Sequence, residues 1–128
     1  LEWQVAEFTR RTGLAAEARV PPERLALPAD LQDALFRIAT EALTNVARHA
    51  EASRVLVELV VTDTTVLLRV VDDGRGIDPS VLLRAESLGL LGMRERASAV
   101  GGVLSLTPVT PHGTALVVSV ARRHDSSA

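Results

Sequence analysis

Four groups of residues in this 128-residue chain have types and spacings suited to chemistry. The first is Glu41, Asn45 and Arg48, at i, i+4 and i+7, with His49 beside them. On a helix these positions form one stripe. Asn inside a helix costs stability relative to Ala. An acid, an amide and two bases on one stripe can hold a divalent cation and a phosphate together. Glu and Asn supply the oxygen donors that magnesium prefers, and Arg48 can neutralise phosphate charge. The plain alternative is a solvated face with an Arg–Glu pair.

The second group is Asp72-Asp73-Gly74-Arg75-Gly76, which follows the apolar run Val66 to Val71. A carboxylate at a strand end can accept a hydrogen bond from an amino group in a largely apolar pocket. The glycines let backbone approach a flat ligand closely. A turn is the competing reading, because Asp-Gly is a common turn dipeptide. A two-residue hairpin would return at once to a strand, which Ile77-Asp78-Pro79-Ser80 does not. The third group, Gly89-Leu90-Leu91-Gly92-Met93-Arg94, opens a helical pattern. Glycines there free backbone N–H groups to face an anion, with the helix dipole behind them; they also serve as simple caps. The fourth, Gly113-Thr114, is by itself a turn into the last strand.

These groups need elements to hold them. Leu1, Val5, Phe8 and Thr12 predict a helix over Leu1–Thr12, closed by Gly13. Leu14–Val20 reads as a strand near an edge, ended by Pro21-Pro22. Pro28 and Asp30 start a second helix, whose apolar stripe is Leu31, Leu35, Ile38, Ala42 and Val46, running to about Ala50. Arg54–Val61 and Thr65–Val71 read as a hairpin turning at Asp63 and Thr64. A third helix covers Gly89 to Val100, stopped by Gly101-Gly102. Val103–Thr107 and Thr114–Ala121 are the last strands, joined through Pro111-His112-Gly113. One apolar face per helix predicts an α+β fold, a two-layer α/β sandwich with a mixed five-stranded sheet and three helices on one face. Residues 14–121 form the domain, 1–13 a helix continuing from a segment upstream, and 122–128 a flexible polar tail.

Composition narrows the function classes. The chain has no cysteine, which excludes disulfide scaffolds and thiolate chemistry. All 14 basic residues are arginine, so no P-loop lysine exists. A net charge of −2 argues against nucleic-acid binding. The longest apolar run, Ala115 to Val118, is far too short for a membrane span, and no signal-peptide pattern is present. The chain opens on Leu1 rather than Met, as expected of a part of something longer.

The order and spacing of the four groups together resemble one family. The chain resembles the catalytic, ATP-binding domain of a bacterial sensor histidine kinase, of the Bergerat (GHKL) ATPase superfamily. Ile38 to Ala50 matches that family's N box, Asp72-x-Gly74-x-Gly76-Ile77 its first glycine box, and Gly113-Thr114 its closing Gly-Thr. Gly89-Leu90-x-Gly92-Met93-Arg94-Glu95-Arg96 matches its second glycine box, in the form of the short-lid nitrate-sensor-like subfamily. The resemblance covers about Leu14 to Val120. It implies the Bergerat fold, with ATP and Mg²⁺ as cofactors. Asn45 would ligate Mg²⁺, and Glu41 would bind the metal or orient its water; these two are the catalytic pair it implies. Arg48 would contact phosphate, and His49 would lie beside the adenine or ribose. Asp72 would accept the adenine amino hydrogen bond, with Gly74, Gly76 and Ile77 packed against the base and lid. Gly89, Leu90, Gly92 and Met93 would present backbone amides to the phosphates, and Thr114 would support the adenine site. Asp78–Leu88 would be a short ATP lid, without the phenylalanine-bearing box of longer-lidded relatives.

The resemblance implies a kinase that donates the γ-phosphoryl group to a histidine on an upstream dimerisation domain, for relay to a response regulator. It implies a cytoplasmic domain without direct membrane contact. His124-Asp125 imitates an acceptor dipeptide but follows the last strand, so the chain is expected to bind ATP without phosphorylating itself. The alternatives are a stand-alone anti-sigma-type serine kinase or other GHKL ATPase, and an interaction module without nucleotide. The Gly-x-x-Gly-Met-Arg-Glu-Arg segment argues against the anti-sigma class, and the intact Asn45, Asp72 and glycines against the module.

Overall fold

The computed structural model of the chain describes residues 1–21, 27–75, 89–109 and 111–122, with backbone only for 49 and 50. In chain order the elements are α1 (Glu2–Thr12), β1 (Ala15–Arg19), α2 (Ala29–Asn45), β2 (Arg54–Val61), β3 (Thr65–Asp72), α3 (Leu90–Ala99), β4 (Gly102–Pro108) and β5 (Thr114–Ala121). The strands form one sheet in the order β1-β2-β3-β5-β4. β1 runs parallel to β2, and every other neighbouring pair is antiparallel. The sheet is therefore mixed, with β1 at an edge, as the sequence predicts.

Period decides what faces the core. In β3 the buried side chains alternate: Val66, Leu68, Val70 and then Asp72. Successive strand residues point to opposite faces, so Asp72 shares the face of the three apolar residues before it. Their register partners on β5, Val120, Val118, Leu116 and Thr114, are buried as well. The helices cover this face. α2 buries Leu31, Ala34, Leu35, Ile38, Ala39, Ala42 and Leu43 at helical spacing, and Val5 and Phe8 of α1 and Leu90, Met93 and Ala97 of α3 join the same core. The result is a two-layer α+β sandwich in which the three α-helices of the described residues lie on one side of the sheet.

Two boundaries differ from the periodicity reading. α2 ends at Asn45, and Val46–Ala50 continue as a π-helical turn, closed by Glu51 in the left-handed region at φ 52°. The apolar spacing continues through Val46, so sequence period alone does not reveal the wider winding. The hairpin turn takes Thr62 as well as Asp63 and Thr64. Its closing bond runs from the Thr62 N–H to the Thr65 carbonyl at 2.8 Å.

Candidate functional site

Asp72 is a carboxylate carried inward by strand alternation, and it is only 7 % exposed. Its Oδ1 accepts the Gly74 N–H at 2.8 Å, and the backbone N–H of Thr114, its register partner on β5, faces the same carboxylate. Burial pushes its pKa above the ordinary carboxylate range. The two amide donors pull it back, and Asp73 beside it adds to the rise. A desolvated carboxylate fixed at a strand end is a strong acceptor for an incoming N–H group.

Asp73, one residue on, has the opposite orientation and a different job. Its carboxylate accepts from Ser53 N–H at 2.8 Å, Ser53 Oγ at 2.7 Å and Arg54 N–H at 2.9 Å. These donors, the Ser53 hydroxyl first, hold its pKa down at about 2. Asp73 thus ties the start of β2 to the end of β3. The sequence presents the two acids as one doublet; the alternation along β3 is the signal that separates them.

Gly113 explains why a glycine precedes Thr114. Its φ is 128°, and a Cβ there would collide with the Asp72 carbonyl oxygen. Only glycine allows β5 to start this close to the end of β3. The turn is pinned from a second side: His112 Nδ1 lies 2.8 Å from the Asp73 carbonyl and 3.0 Å from the Gly74 carbonyl. Both partners are acceptors, so the ring nitrogen carries the proton and donates. In the sequence His112 stands in a turn, and nothing local marks it for a further part.

Gly89 is the N-cap of α3, at φ 67°, and a Cβ on it would run into the Glu41 carboxylate. Glu41 of α2 therefore sits against the amino end of α3. Helix geometry leaves the amides of Leu90, Leu91 and Gly92 without a partner inside α3. The Met93 amide differs from its expected role, because it already donates to the Gly89 carbonyl at 3.0 Å. The side chains of Leu90 and Met93 are fully buried, so they anchor the helix in the core. A Cβ on Gly92 would meet open space.

Asn45 closes α2, half-buried, and Arg48 is exposed in the π-helical turn. The wider turn changes the helical phase, so Arg48 does not continue the i, i+4, i+7 stripe as a regular helix would. Among the described residues no ion pair joins Arg48 to Glu41. The structure thus brings Asp72, Gly74, Gly113 and Thr114 together, and Glu41 together with Gly89. α2 packs on both β3 and α3. The His49 side chain, Gly76, Ile77, the lid stretch 78–88 and the tail from 123 lie outside the described residues. Among those described, no cluster of three or more His, Cys, Asp or Glu forms a metal cage, and no helix is long and apolar enough to cross a membrane.

Residues 30–124 match the family described as histidine kinase-, DNA gyrase B-, and HSP90-like ATPase. The chain is 42 % identical over 95 residues to the sensor histidine kinase LiaS of Bacillus subtilis, covering 74 % of this chain and 26 % of that protein. It is 37 % identical over 124 residues to the signal transduction histidine-protein kinase/phosphatase UhpB of Salmonella typhimurium, covering 97 % of this chain and 21 % of that protein. The blue-light activated histidine kinase of Erythrobacter litoralis shares the fold. The two superpose with a TM-score of 0.79 at 21 % identity, over 93 % of this chain and 42 % of that one. The chain spans about a quarter of the length of the curated relatives it matches.

Proposed function

Because this chain belongs to the histidine kinase-, DNA gyrase B- and HSP90-like ATPases, and is thereby an ATP-binding domain, we propose that it is the catalytic domain of a two-component sensor histidine kinase. One observation carries this: the buried, amide-held carboxylate of Asp72 at the end of β3, beside the start of β5. Such an oxygen accepts the exocyclic amino group of adenine and repels the carbonyl that guanine presents at the same place. Gly74 and Gly113 let the base pack against backbone, and Thr114 supports Asp72 from β5. His49, Gly76 and Ile77 complete the base side in this reading.

The phosphates lie toward the other cluster. The amides of Gly89, Leu90 and Gly92 face them with the positive end of α3. Met93 contributes by anchoring that helix end, and Arg48 adds a cation from the exposed turn. Glu41 and Asn45 fit Mg²⁺, because both offer oxygen and Mg²⁺ takes few protein ligands and keeps its waters. The metal supplies charge neutralisation across the phosphates. The residues of this chain supply position, which is most of what phosphoryl transfer asks of a protein. The accepting histidine sits on a separate dimerisation domain, and a response regulator receives the phosphoryl group next, in the cytoplasm where ATP is supplied.

Calorimetric titration of the chain with ATP, with and without Mg²⁺, and with GTP as a control tests the site. Saturable ATP binding that is strengthened by Mg²⁺ and much weaker for GTP is expected. Equal affinity for the two nucleotides would refute the base-reading role. Labelled phosphate should stay off this chain alone and appear on a histidine only when a dimerisation domain is supplied.

A further inference from the structure

His112 is exposed, yet its Nδ1–H is spent on two backbone carbonyls, those of Asp73 and Gly74. Gly74 is the residue whose N–H donates to Asp72. Two residues past His112, the Thr114 N–H faces the same carboxylate from the register position opposite Asp72. The links close a ring: Asp72 carboxylate, Gly74 amide, Gly74 carbonyl, His112 ring, Gly113, Thr114 amide, and back to Asp72. The turn carrying His112 is itself closed by the Val109 N–H on the Gly113 carbonyl at 3.2 Å. Without the imidazole, the segment after Asp72 and the segment before Thr114 have one fewer tie, and the two donors that aim the carboxylate can drift apart.

We propose that His112 is a positioning residue for base selection: its Nδ1–H bridge holds the Gly74 and Thr114 amides in one frame, which fixes where the Asp72 carboxylate points. The proposal rests on Asp72 being the base-reading acid. His112 touches neither nucleotide nor metal in this role. A donor at the Nδ1 position is what matters, so Asn, whose amide nitrogen lies near that place, replaces it and Ala does not.

The test compares ATP and GTP binding by calorimetry in the unaltered chain, His112→Ala, His112→Asn and Asp72→Asn. Removing one bridging hydrogen bond should weaken ATP about tenfold while leaving GTP nearly unchanged. The ATP-to-GTP preference therefore falls about tenfold in His112→Ala and stays within about twofold of the original in His112→Asn. A purely structural histidine would weaken both nucleotides alike and leave the preference intact. If the preference survives in His112→Ala but collapses in Asp72→Asn, the positioning role is wrong and the site stands. If Asp72→Asn keeps the preference, both are wrong. Should His112→Ala fail to fold, nitrogen NMR of the unaltered chain decides: in the neutral ring the proton must reside on Nδ1, and the ring signals must shift on adding ATP. A proton on Nε2 overturns the proposal.

Discussion

Asp72→Asn separates what the site costs from what it does. The carboxylate has two oxygens for three donors: the Gly74 amide, the Thr114 amide and the incoming adenine amino group. Asn keeps one acceptor and gains a donor. Whichever way the amide turns, one N–H then faces another N–H. A hydrogen bond to a charged acceptor contributes about 1.5–3 kcal/mol, which corresponds to a loss of about 10- to 150-fold in ATP affinity. Stability should move the other way or stay put. Burial raises the pKa of Asp72 in the folded chain, so the folded state holds the proton more tightly than the unfolded chain does. Below the ordinary carboxylate pKa this favours folding; as pH rises through the raised folded value, the benefit is lost. At neutral pH the ionised side chain is a burden on the fold, and Asn removes it. Calorimetry with Mg²⁺ and ATP, beside thermal unfolding at neutral pH, reads both effects. ATP affinity within about threefold of the original, or a melting point lowered by more than about 10 °C, would refute the reasoning.

The remaining expectations concern the supports of the site. Asn45→Ala should abolish the strengthening of ATP binding by Mg²⁺ in the same titration; retained dependence would move the metal elsewhere. Gly113→Ala puts a Cβ into the Asp72 carbonyl at φ 128° and should cost about 2–4 kcal/mol, seen as a melting point lower by about 10 °C. Asp73→Ala removes three hydrogen bonds between β2 and β3 and should cost about 1–2 kcal/mol while leaving ATP affinity within twofold. Because its folded pKa is held at about 2, the stability from Asp73 is present above the ordinary carboxylate value and is lost as pH falls toward 2. The acid unfolding curve of Asp73→Ala should accordingly be flatter over that window.

Much of this was legible in the sequence because it depends on period and on order along the chain. Val66, Leu68 and Val70 announce a half-buried strand, and the same alternation continued by one step puts Asp72 inside. The stripe from Leu31 to Val46 gives α2, and the glycines at 89 and 113 mark a helix opening and a turn. What escaped depends on contacts between distant segments. That Gly89 meets Glu41, 48 positions earlier, leaves no local trace. Neither does the reach of His112 to Asp73 and Gly74. The π-helical turn after Asn45 keeps the apolar spacing of a regular helix while changing its winding. The Met93 amide could have been judged from position alone, since the fourth N–H past a cap already has a carbonyl in its own helix.

The inward direction of one acid and the outward direction of the next make β3 behave as a ruler marked in steps of two. A deletion of one residue between Thr65 and Asp72 would exchange the directions of the two acids, turning Asp73 inward and breaking its tie to Ser53 and Arg54. Removing two would shorten the strand but keep the parity. Lengthening the turn at Thr62–Thr64 would change nothing at the far end. Tolerance of insertions is thus quantised along this hairpin: free at its tip, and forbidden by odd numbers along its shaft.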